Sequence, residues 1–60
     1  MFYVWRRNDG YVDATAGRMP SDHVGANGKT ATFEKLGEFE EWIDALECIQ
    51  TNRYKAEKTK

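Results

Sequence analysis

One cysteine, one histidine and one proline are spread over this chain of 60 residues. Cys48 has no second thiol, so an internal disulfide is excluded. His23 and Cys48 alone cannot build a Cys/His zinc cluster. No apolar run approaches the ~18 residues of a membrane span. The start, Phe2-Tyr3-Val4-Trp5 followed by Arg6 and Arg7, has no small-residue cleavage site and does not read as a signal peptide. A free thiol fits a reducing compartment, so the expectation is a soluble, cytoplasmic protein with no membrane contact. The chain also lacks a strong charge of either sign. Its formal net charge of −1 argues against a protein whose main task is gripping phosphates.

What is present is aromatic and charged surface, unevenly placed. Glu38, Glu40, Glu41, Asp44 and Glu47 form an acidic block, and Arg53, Lys55, Lys58 and Lys60 make the tail basic. A chain this short hides only about 60% of its unfolded surface, so its stability is a few kcal/mol. Without staples it must rely on a well-formed core or on self-association.

Residues 2–7 read as a strand and 11–15 as its partner, joined by Asn8-Asp9-Gly10. A two-residue Asp9-Gly10 loop would pair Trp5 with Ala14. A three-residue loop, with Gly10 in the left-handed position of a bulge, would pair Trp5 with Asp13. The second register is preferred because it sorts the side chains. Phe2, Val4, Arg6, Val12 and Ala14 then share one face, and Tyr3, Trp5, Arg7, Tyr11, Asp13 and Thr15 the other. Either face can seat a helix. If the first does, the aromatic face is left over; if the second does, Phe2, Val4, Arg6 and Val12 are left over.

Residues 16–29 read as a loop, rich in turn formers, and 30–36 as a third strand with Gly37 interrupting it. Residues from about 38 to 56 read as a helix, with a frayed basic tail over 57–60. At 100° per residue, Phe39, Trp42, Ile43, Leu46 and Ile49 fall in one stripe roughly 120° wide, and Cys48 falls on the helix back. The expected architecture is α+β: a small three-stranded antiparallel sheet packed against one C-terminal amphipathic helix, in the order β-β-β-α, as a single domain.

The chemistry-bearing signals are weak. Gly25-Ala26-Asn27-Gly28-Lys29-Thr30 has two residues between its glycines where a phosphate loop needs four, and a strand follows it where a helix should. A plain Asn-Gly turn is the better reading. His23 beside Asp22 has no nucleophile or metal partner in view and reads as a solvated loop residue. The i, i+3 and i, i+4 spacing of the helix carboxylates describes an exposed surface rather than a metal site. No catalytic residue, metal ligand or cofactor site is expected, and the chain reads as no enzyme.

Tyr3, Trp5, Arg7 and Tyr11 belong to the residue types that most often anchor interfaces. They form the candidate interface of a non-catalytic regulatory module that docks on a larger protein. The small size and acidic patch fit an accessory factor of a phage or mobile element. The first alternative is sheet-mediated DNA binding through Trp5, Arg6, Arg7 and Lys29, disfavoured by the net charge. The second is an acidic DNA mimic using Glu40, Glu41, Asp44 and Glu47. Homodimerisation is a further expectation, since an open strand edge and apolar sheet surface both invite it.

The order of strands, followed by Leu36-Gly37-Glu38-Phe39 leading into Trp42, Ile43, Ala45, Leu46 and Ile49, resembles the sheet-plus-helix domains of plant ethylene-response factors. It is also similar in layout to the arm-binding domains of tyrosine integrases. The resemblance is one of fold and covers about half the chain. It implies a sheet inserted into the DNA major groove, with Trp5, Arg6 and Arg7 on the DNA side. Asp9 and Asp13 in the hairpin depart from that pattern.

Overall fold

The computed structural model describes the backbone of residues 1–58 and the side chains of residues 1–53. Three strands, β1 (Phe2–Arg7), β2 (Val12–Ala16) and β5 (Phe33–Phe39), form an antiparallel sheet in the order β2-β1-β5. The short strands β3 (His23–Val24) and β4 (Thr30–Ala31) form a separate two-stranded hairpin, and α1 (Trp42–Lys58) closes the chain. The α+β architecture expected from the sequence is the one observed. The frayed tail expected over 57–60 lies outside the described side chains, and at 59–60 outside the described backbone.

The first hairpin follows the three-residue register. Trp5 lies opposite Asp13 and Val4 opposite Ala14. Arg7 N–H donates to Tyr11 C=O (2.8 Å) and Gly10 N–H to Arg7 C=O (2.8 Å). Gly10 takes φ +96°, a value that side-chain-bearing residues avoid.

The helix rests on the Phe2/Val4/Val12/Ala14 face. Val4, Val12, Ala45 and Ile49 are buried together, and Phe2, Ala14, Leu36, Phe39 and Cys48 pack around them. Two expectations are corrected here. First, the helix begins at Trp42 rather than near residue 38. Glu38 and Phe39 are still strand, paired with Tyr3 and Phe2, and Glu41 C=O accepts the first helical N–H, from Ala45 (3.3 Å). Phe39 fits a helical stripe by spacing, yet reaches the core from β5.

Second, the helix is rotated from the expected stripe. Its buried side is Ala45, Ile49 and half-buried Cys48 and Asn52, while Trp42, Ile43 and Leu46 are exposed. Small side chains on the buried side let the helix approach the sheet closely. At Gly37 an added Cβ would lie 3.0 Å from the Phe39 ring of the same strand and 3.8 Å from Cys48 Sγ of the helix.

Gly37 also marks a bulge. Val4 pairs with Gly37 but Trp5 with Lys35, so Leu36 is the extra residue of β5. The extra residue reverses the alternation of faces. Leu36 and Phe39 therefore both reach the helix side. Lys35 and Glu38, three apart and otherwise on opposite faces, meet in an ion pair at 2.7 Å.

Residues 16–29 are not structureless throughout, as a loop reading had it. His23–Val24 pairs with Thr30–Ala31 around a turn in which Gly28 N–H donates to Gly25 C=O (3.0 Å), Lys29 N–H to Asn27 Oδ1 (3.0 Å) and Gly25 N–H to Lys29 C=O (2.8 Å). This is the Asn-Gly turn read from the sequence. Asn8 ties the small hairpin to the sheet: its N–H donates to Thr32 C=O (3.0 Å) and its Nδ2 to Thr30 C=O (2.7 Å). Thr32 breaks the expected 30–36 strand into β4 and β5.

Each outer strand has part of its edge occupied by side chains or an adjacent carboxylate. By the alternation of antiparallel bonding, Val12, Ala14 and Ala16 turn their backbone groups away from β1. Arg53 Nε and Nη2 both donate to Val12 C=O (3.1 and 2.7 Å), and Ala14 N–H donates to Asp13 Oδ1 (2.8 Å). On the other edge Phe33 N–H meets Asp22 Oδ1 at 3.3 Å.

Candidate interaction surfaces

The aromatic face expected as an interface is assembled, but its centre is closed. Tyr3, Trp5, Arg7 and Tyr11 share the face turned away from the helix. Trp5, however, is only 7% exposed. Phe33 meets it edge-on with ring centroids 4.9 Å apart, and Tyr11 lies at 6.1 Å. His23 of the small hairpin stacks on Phe33 at 5.8 Å. Trp5 therefore fills a second, smaller core and is not an exposed anchor. Its Nε1–H is buried without a hydrogen-bond partner.

Around that centre the polar groups hold one another. Arg7 Nε and Nη2 donate to Asp9 Oδ1 (3.0 Å) and Oδ2 (2.6 Å), and Tyr11 N–H donates to the same carboxylate (3.0 Å). These bonds hold the Asp9 carboxyl down to about 2. The Arg7 guanidinium also lies over the Tyr11 ring at 5.0 Å, and that of Arg53 approaches it at 5.7 Å. Tyr11 donates its hydroxyl proton to Asp13 Oδ2 (2.8 Å), which pushes the phenol upward from its ordinary range. Of the four residues, Tyr11 is the one that is clearly exposed; Tyr3 and Arg7 are half-buried.

The residues considered for DNA contact do not form one surface. Arg6 and Arg7 are neighbours on β1 and point to opposite faces. Arg6 is within 3.8 Å of Glu34, Arg7 is paired with Asp9, and Trp5 is covered. Lys29 stands apart in the β3–β4 turn.

Arg7 and Lys29 do line an open cleft of about 690 Å³ between the two hairpin turns, with Asn8, Asp9, His23 and Thr30. Arg7 is already engaged there by Asp9, and His23 Nδ1 lies 3.0 Å from Ser21 C=O. Among the described residues no group of three His, Cys, Asp or Glu side chains is placed to hold a metal ion, and no helix is long and apolar enough to cross a membrane.

The surface that sequence reasoning missed is the flank of α1. Trp42 is 48% exposed, Ile43 66% and Leu46 37%. Trp42 touches the sheet edge-on through Phe2, with centroids 5.4 Å apart, and stays about half exposed. Going round the helix at about 100° per residue, the order is buried Ala45 and Ile49, then Trp42, Arg53 and Leu46, then Gln50 and Ile43, then Glu47, with Asp44 on the far flank. In the first turns of α1 an apolar patch thus lies between the sheet on one side and Glu47 on the other, with Gln50 and Arg53 further along the same side. Glu40, Glu41, Asp44 and Glu47 are all exposed, and among the described residues none of them is in an ion pair. The clue in the sequence was Gly37, whose bulge keeps Phe39 in the sheet and removes it from the helical stripe.

Comparison with protein-family models, with curated proteins and with solved structures finds no match to this chain.

Proposed function

We propose that this chain is a non-catalytic regulatory module that docks on a larger protein, and that the flank of α1 makes the contact. The observation that carries this reading is the exposure of Trp42, Ile43 and Leu46 side by side on one ordered helix. Scattered apolar residues on a surface are ordinary, but three large ones in contiguous positions beside a polar rim have the composition of an interface core. The aromatic sheet face contributes less than the sequence suggested, because Trp5 is spent on internal packing.

The test is capture from an extract of the native host by the tagged chain, run beside the variant Ile43→Ser/Leu46→Ser. A partner held by the wild type and lost by the variant supports the reading. An unchanged set of captured proteins overturns it, provided circular dichroism shows the variant folded.

A second reading rests on the unpaired carboxylates. Glu40, Glu41, Asp44 and Glu47 present a negative surface that could occupy a nucleic-acid groove on another protein. Reversing Glu40, Glu41 and Asp44 to lysine separates the two. Loss of binding with the apolar strip intact favours mimicry; retained binding removes it.

A further inference from the structure

We infer that the exposed flank of α1 is where two copies of this chain meet, in a two-fold pair with their helices antiparallel. This goes beyond the docking reading: the free chain shelters Trp42, Ile43 and Leu46 against itself, and a larger protein displaces the second copy. Two observations carry it. The first is the apolar patch, exposed on one ordered helix. The second is the order of charge along that helix and its lead-in. Residues 40–47 hold four carboxylates, Glu40, Glu41, Asp44 and Glu47, and no base. Residues 48–58 hold Arg53, Lys55 and Lys58 against one acid, Glu57. In a two-fold pair each surface meets its own copy. A parallel pair would set carboxylates beside carboxylates. An antiparallel pair sets the acidic start of each helix beside the basic end of the other, twice over. The helix dipole alone favours this order of charge. It gives no reason for three large apolar side chains to stand in water on the same helix.

The register follows from helix geometry. With the two-fold beside Leu46, patch meets patch, and Glu40 of one copy comes to about the height of Asn52 in the other, one residue short of Arg53. Arg53 is exposed and uses Nε and Nη2 on Val12 C=O, which leaves Nη1 to meet a carboxylate of the second copy. The sheet edges offer a poorer contact. Val12 C=O, Ala14 N–H and Phe33 N–H are already bonded there, to Arg53, Asp13 and Asp22. Three part-exposed side chains are a small contact beside the ~800 Å² per partner of a standard interface. The pair is therefore reversible, as competition with docking requires.

The experiment is sedimentation equilibrium of the full chain at concentrations from about 10 μM to about 1 mM, with circular dichroism to check each variant's fold. The wild type should pass from one copy to two across this range. Ile43→Ser/Leu46→Ser should weaken pairing at least about tenfold, and so should Glu40→Lys/Glu41→Lys and Lys55→Glu/Lys58→Glu, each measured alone. Mixed together, the two charge variants should pair about as well as the wild type, because each reversed end then meets its opposite. If either loses its helix, Glu40→Gln/Glu41→Gln or Lys55→Gln/Lys58→Gln replaces it, with a smaller loss expected. A single copy throughout the range overturns the proposal. So does a pair that Ile43→Ser/Leu46→Ser leaves intact, and so do charge variants that pair no better mixed than alone. If the chain stays single while capture from the extract still depends on Ile43 and Leu46, the docking reading stands and the pair falls.

Discussion

The two tryptophans occupy each other's expected places. Trp42 begins the helix, the element that covers the sheet, and is half in water. Trp5 points to the face that no helix covers, and is sheltered. The difference lies in how each layer closes. The helix face is built from small and aliphatic groups, Val4, Val12, Ala45 and Ile49, packed close enough that the larger helix residues are pushed to the flank. The other face shelters its large ring with two more rings, Phe33 and Tyr11, beside the Arg7–Asp9 and Lys35–Glu38 ion pairs. A chain this short can thus build two small interiors and still leave an apolar strip outside.

The largest effects test whether the second interior is a core at all. Trp5→Ala should cost about 3–5 kcal/mol and Ile49→Ala about 2–5 kcal/mol, most of what a domain of this size has. Urea unfolding followed by circular dichroism measures both. A cost below about 1 kcal/mol for Trp5→Ala would mean that the aromatic face is surface after all, and would return it to the list of candidate interfaces.

Next in size is the joint between the layers. Gly37→Ala places a methyl group 3.0 Å from the Phe39 ring, on the strand that lies against Cys48. Overpacking of this kind costs about 1–3 kcal/mol. Wild-type stability in this variant would show that the Phe39 ring can shift within the core without loss of packing.

These details also mark where the sequence stopped being readable. The first hairpin was legible in its turn and register, because Asn8-Asp9-Gly10 and the alternation on either side specify both, but not in which of its two faces the helix covers. The helix was legible as an element but not in its start or its rotation. Phe39 satisfies both a strand and a helical stripe, and a stripe drawn through it is turned away from the side that is buried. Hydrophobicity alone cannot announce that Ala45 and Cys48 lie inward, since both are small rather than strongly apolar. The β3–β4 hairpin was hidden for another reason: two-residue strands carry no periodicity, and its placement depends on Asn8 and Asp22, which act across long stretches of chain. Of the candidate site, the acidic side was visible in the sequence and the apolar strip beside it was not.

The edge of β2 sharpens the comparison from the side, since it joins the two layers. Arg53 reaches from α1 to Val12 C=O and lies near the Tyr11 ring. Arg53→Met keeps much of the stem and removes the donors. It should cost about 1 kcal/mol, as a charged hydrogen bond to a part-exposed carbonyl does. It should also free an edge carbonyl for strand pairing, so sedimentation should show more self-association than in the wild type. A variant that is destabilised yet strictly monomeric would leave Arg53 a helix anchor with no part in guarding the edge.

The smallest effect lies at the turn that aims the aromatic face. Asp9 ionises at about 2, held down by the side-chain hydrogen bonds from Arg7 and by Tyr11 N–H. An unfolded aspartate ionises near 3.9. Because the folded value is the lower one, the carboxylate's contribution is fully present above about pH 4 and drains away as pH falls toward 2. Asp9 is exposed, so salt should shrink the effect. Asp9→Asn should flatten that part of the stability curve and leave the neutral-pH curve shape alone. A carbon-detected titration of the Asp9 carboxyl gives the direct reading. A midpoint near 3.9 in the folded chain would mean that the Arg7–Asp9 clasp is open in solution. The aromatic face would then lose one of its two ion pairs, and Tyr11 would be freer to leave Trp5 and act as the exposed contact that its position in the sequence first suggested.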